Sequence, residues 1–152
     1  MASAMTTVAF HTGVDDAVGY ACRLIRKAQR QDDGLRIRVE APAPALEQLD
    51  QALWVFDAQS FIPHVRLRGE HAPPERLHRT PVWLAEHGTP WPAGVTAPQV
   101  LLRWGLEDAV ADVQAWLRVI EIVSTEAADR QSARRRWRSY EASGVQLQHH
   151  TA

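Results

Sequence analysis

Strand-like and helix-like segments alternate along this chain, and that alternation constrains the fold more than any single motif does. Residues 6–12 (TTVAFHT) are β-rich. After Gly13, DDAVGYACRLIRKAQRQ sets Ala17, Ala21, Leu24, Ile25 and Ala28 three and four residues apart, with Asp15 or Asp16 placed to cap a helix. DDG at 32–34 ends it. LRIRVEA (35–41) alternates apolar and charged residues, which predicts a strand near a sheet edge. APAPALEQLDQALWVF opens on prolines and turns helical, with Leu46, Leu49, Leu53 and either Trp54 or Phe56 on one side. FIPHVRL (61–67), VWLAE (82–86), QVLLRW (99–104) and RVIEIVS (118–124) read as extended, and 68–81 and 87–98 as loops. LEDAVADVQAWL (106–117) predicts a short helix, and a last helix covers about 125–142. Gly144 stands where a helix-terminating glycine belongs, and VQLQHHTA reads as a tail. The alternation implies an α/β layered fold with a mostly parallel sheet and right-handed crossovers. One domain is expected over 1–144, with a tail over 145–152.

The 152 residues suffice for one domain with a substantial core. A formal net charge of −1 counts against a general nucleic-acid-coating role. Cys22 is the only cysteine, so no internal disulfide is possible, and on a helical stretch it reads as a small core residue. No secretory leader and no membrane-length apolar run is present, so a cytoplasmic protein with no membrane partner is expected. The first strand–turn–helix lacks both glycine-rich phosphate-binding patterns, and two acids stand where a phosphate would need bare N–H groups. His71, His78 and His87 fall in or beside loops without metal-ligand spacing, and His149 and His150 read as a tail pair. No catalytic residue, metal or cofactor is therefore expected, and a Rossmann-like enzyme is disfavoured by the missing phosphate loop.

The last helix holds the chain's sharpest charge feature. Five arginines fall between Arg130 and Arg138, with no acid in that interval and Trp137 inside it. At 100° per residue, Arg134 and Arg138 lie about 40° and 80° from Arg130, and Trp137 borders the stripe at about −20°. Arg135 and Arg136 point elsewhere. Like charges at this spacing repel. A solvated helix face is the plain alternative to a site for an anionic partner with an apolar component. Arginine forks grip carboxylates or phosphates, and indole supplies a flat apolar wall. An acidic peptide ending in a free carboxylate and an aromatic residue suits such a site, and so does a single-stranded nucleic acid.

Two stretches, LDQALWVFDAQSFIPH (49–64) and ARRRWRSYEASGVQLQ (133–148), resemble the chi subunit of bacterial DNA polymerase III in motif, order and separation. The resemblance spans almost the whole chain. It implies a Rossmann-like three-layer fold with no nucleotide-binding loop, and an accessory subunit of the clamp-loader assembly in DNA replication with no catalysis of its own. It implies a heterodimer with psi, which attaches chi to the loader. It further implies binding of the acidic, phenylalanine-ending tail of the single-stranded-DNA-binding protein, SSB, so that DNA is met mainly indirectly. Arg130, Arg134 and Arg138 occupy the family's basic positions for that tail. Trp137 replaces the commoner tyrosine, which removes a hydroxyl, and Val123 matches an apolar position of the same pocket. Psi binding falls to Trp54, Phe61, Pro63 and His64, on a surface that also admits a helicase relative. The helix period makes Leu49 and Leu53 core residues, whereas Phe61, Pro63 and His64 lie past the helix. The alternative is a direct single-stranded nucleic-acid-binding module using the same arginines.

Overall fold

The computed structural model describes residues 5–32, 34–56, 61–69 and 71–152. Asp33 of the helix-ending triplet, residues 57–60 of the 49–64 motif, Glu70 and residues 1–4 lie outside the described residues. The short apolar runs form strands: β1 (Thr7–Val14), β2 (Ile37–Glu40), β3 (His64–Leu67), β4 (Val82–Ala85), β5 (Val100–Arg103), β6 (Arg118–Ser124) and β7 (Gln146–Thr151). They make one sheet in the order β3-β4-β2-β5-β6-β1-β7. Every neighbouring pair is parallel, so the mostly parallel sheet expected from the sequence is wholly parallel among the described strands.

A parallel sheet has to be covered on both faces. Ile37, Val39, Val82, Leu84, Val100, Leu102, Ile120 and Ile122 turn one way, against α1 (Ala17–Gln31) and α2 (Ala43–Val55). Val8, Phe10, Leu101, Val119 and Val123 turn the other way, where α3 (Ala127–Ala142) packs. Leu67, Trp83, Ala85 and Val95 form a smaller cluster with Trp91. These are the three layers of a Rossmann-like α/β fold. Asp16 caps α1 by accepting the Gly19 N–H at 3.0 Å. In α2 the buried face is Leu46, Leu49 and Leu53. Phe56 packs against that core while Trp54 stays 59% exposed.

Three sequence expectations need correction. β2 lies in the interior of the sheet, between β4 and β5. Its charged residues are buried because they satisfy each other. Arg38 Nε donates to Glu40 at 2.7 Å, and Arg38 Nη2 donates to the Thr89 carbonyl at 2.9 Å. The segment 106–117 forms no α-helix, only one 3₁₀ turn at Val113–Ala115. A helix there would bond the Val110 N–H to the Leu106 carbonyl. Instead Tyr140 accepts the Val110 N–H, and Arg136 donates to the Leu106 carbonyl. The expected tail is β7, paired with β1 from Thr7↔Gln146 to Thr12↔Thr151. Gly144, at φ +77°, lets the chain leave α3 and turn back to the sheet edge.

Candidate functional site

The chain leaves β6 rightwards through α3 and leaves the adjacent β1 leftwards through α1, so the two connections cross opposite faces of the sheet. In open α/β sheets such a reversal opens a crevice at the carboxyl ends of the strands. Here a cavity of about 570 Å³ opens at that place, beside α3. Phe10, Val123, Ala133 and Trp137 give it apolar walls. The Trp137 indole meets Phe10 edge-on, with ring centroids 5.2 Å apart. Arg130, Arg134 and Arg138 are exposed and line the same cavity. None of the three pairs with an acid among the described residues. Thr12, Gly13, Thr125 and His149 complete the lining, which contains no carboxylate.

All five residues expected at the anionic site, Val123, Arg130, Arg134, Trp137 and Arg138, therefore meet around one cavity. Phe10 and Thr12 were legible only as alternate residues of a strand. His149 could not be placed without the parallel register that sets it opposite Phe10.

A buried polar cluster fixes α3 to the sheet. Arg136 is 1% exposed, and its Nε donates to Glu121 at 3.2 Å while Nη1 donates to Ser132 Oγ at 2.7 Å and to the Leu106 carbonyl at 2.9 Å. Tyr140 donates to the other Glu121 oxygen at 2.6 Å. Arg103 Nη1 stands 3.7 Å from that oxygen, and its Nη2 donates to the Asp108 carbonyl at 2.7 Å. Burial and the neighbouring Glu121 carboxylate push the Tyr140 phenol well above its ordinary range. Arg136 does point away from the exposed stripe, as the helical wheel implies, but it points into the core. The sequence showed five arginines in one run; the fold assigns one of them to the interior.

The second group of candidate residues gathers at the opposite edge of the sheet, where α2 ends and β3 begins. Trp54 and Phe61 are 59% and 55% exposed, and their rings lie 5.0 Å apart. Pro63 is exposed beside them. His64 differs: its side chain is only 1% exposed, lying 2.8 Å from Asp50 and 2.9 Å from the Ile62 carbonyl. Its ring backs the Trp54 ring at 5.1 Å and presents almost no side-chain surface.

Among the described residues no helix is long and apolar enough to cross a membrane, and no group of three or more His, Cys, Asp or Glu side chains could hold a metal ion. The fold and this cavity define a Rossmann-like α/β module that presents an arginine-rimmed apolar pocket. Residues 5–148 match the family model for the DNA polymerase III chi subunit, HolC. The chain is also 34% identical over 131 residues to the DNA polymerase III subunit chi of Pseudomonas aeruginosa, a match covering 86% of this chain and 82% of that protein. The chain belongs to the DNA polymerase III chi subunit family and is an accessory replication subunit.

Proposed function

We propose that this protein is a non-catalytic cytoplasmic adaptor that links SSB on single-stranded DNA to the clamp loader. The cavity beside α3 takes the acidic SSB tail, and the Trp54–Phe61 surface takes psi or, in its place, a helicase relative. The observation that carries the reading is the cavity itself: apolar walls able to hold a terminal phenylalanine, rimmed by arginines that no acid of the described residues neutralises. Arginine forks hold carboxylates through charge-assisted bonds. Arg134, central in the stripe, holds the terminal carboxylate, and Arg130 and Arg138 meet the acids upstream.

The test is calorimetric titration with an SSB-tail peptide and with the same peptide amidated at its C-terminus. Arg134→Ala is expected to cost about 2–3 kcal/mol of binding, and a rim arginine about 1 or less. Amidation should harm the wild type far more than Arg134→Ala, since both changes remove one interaction. Losses that simply add would move the carboxylate to another residue. Equal binding of the amidated peptide, with tight binding of single-stranded DNA, would favour the direct nucleic-acid reading.

A further inference from the structure

β7 brings to the cavity a side chain that the arginine stripe does not account for. His149 lies across the cavity from α3, carried there by the pairing of β7 with β1. Its Nε2 is 2.7 Å from Thr12 Oγ1, and both residues line the cavity. The hydroxyl can donate to a neutral ring or accept from a charged one, so it holds the imidazole in either state. Nδ1 has no partner among the described residues. The charged groups facing His149 are Arg130, Arg134 and Arg138 from α3; β1 offers Thr12, and β6 and its following turn offer only Val123 and Thr125. A polyanion lying in the cavity would therefore have the three guanidiniums on one side and the free imidazole Nδ1 on the other.

We propose, resting on the peptide-binding reading above, that His149 is a further contact for the acidic ligand and makes its binding pH-dependent, tightening as pH falls. Histidine is the side chain that gains charge between about pH 8 and 5, a range in which aspartate and glutamate remain ionised. A group whose proton is held more firmly in the complex strengthens binding on the acidic side, and that gain fades as pH rises through its value in the complex. Neighbouring His150 turns to the other face of the sheet, stacked on His11 at 4.8 Å, and takes no part.

The experiment is titration of the full chain with an acidic peptide ending in phenylalanine, at pH 8 and at pH 5.5. The wild type should tighten between the two by roughly three- to fivefold more than His149→Gln, the size expected of a partly exposed charge pair. His150→Gln should keep the wild-type pH response, and Arg134→Ala should bind more weakly at both pH values yet keep it. An unchanged pH response in His149→Gln, with binding still dependent on Arg134, overturns this proposal and leaves the peptide reading intact. Failure of the wild type to bind at either pH overturns both.

Discussion

Two side chains set the terms at the residue scale. Arg136 sits in an interior cluster where one carboxylate, Glu121, serves two guanidiniums and a phenol. Removing one partner from a buried ion pair typically costs about 3–5 kcal/mol, because what remains stays buried and under-satisfied. Arg136→Ala would also free the Leu106 carbonyl and the Ser132 hydroxyl that the guanidinium now bonds. The expected result is a fall in melting temperature on the order of 10 °C. Arg135→Ala, at an exposed position, should leave the melting temperature within about 2 °C of wild type. Equal melting curves for the two variants would refute the assignment of Arg136 to the core. His11 makes a pH-dependent contribution. Burial, followed by the charges of His150, Arg118 and Lys27, lowers its pKa from 6.5 to about 4. The folded protein thus binds the His11 proton less readily than the unfolded chain does. Its contribution to stability is complete above about pH 6.5 and is lost as pH falls towards 4. Urea midpoints between pH 7 and pH 4.5 should decline less steeply for His11→Gln than for the wild type.

At the scale of elements, α3 and β7 act as one unit joined by Gly144. The glycine has φ +77° and open space where a Cβ would stand, so Gly144→Ala meets no clash and pays only for left-handed backbone. The expected loss is about 1–2 kcal/mol by chemical denaturation, and a neutral result would mean that the turn relaxes. The elements also show what a sequence can disclose. Short β-rich or apolar runs, and the alternation in β2, located six of the seven strands among the described residues; the exception is β7, whose exposed Gln146, His149, His150 and Thr151 carry no such signal. β7 exists because β1 offers it a free edge and Leu147 packs below α3, and both are tertiary facts. The same reason hid the true state of 106–117, where Arg103, Arg136 and Tyr140 take the backbone groups a helix would use. The alternating charges of β2 read as an edge strand, but Arg38 and Glu40 neutralise each other and let it lie inside the sheet. The arginine stripe was legible because helical geometry alone places Arg130, Arg134, Arg138 and Trp137 side by side. Its apolar complement, Phe10 and Val123, required the sheet.

On the scale of the whole molecule, the sheet separates two surfaces. The Trp54–Phe61 cluster lies at the β3 edge, at the end of the sheet where β3 starts, beside helices on one face. The arginine cavity lies among the last three strands, at the end where β6 stops, under α3 on the other face. At about 4.8 Å per strand, four strand spacings put the two roughly 20 Å apart before the thickness of the layers is counted. That exceeds the roughly 8 Å Debye length at physiological salt, so charge at one site is screened from the other. Between them stand the strands of one parallel sheet, and sites this far apart without shared partners behave additively within about 0.5 kcal/mol. If the proposed partners are right, Phe61→Ala weakens psi binding and leaves the SSB-tail affinity within about twofold of wild type, while Arg134→Ala does the reverse. The double variant shows the sum of the two losses. Preformed complex with psi should bind the tail peptide as the free chain does, which is what a bridge between clamp loader and SSB requires. Calorimetry of the tail peptide with and without psi decides it. A tenfold change in tail affinity on adding psi would show that the two surfaces communicate, and the sheet could then no longer be treated as a rigid spacer between independent sites.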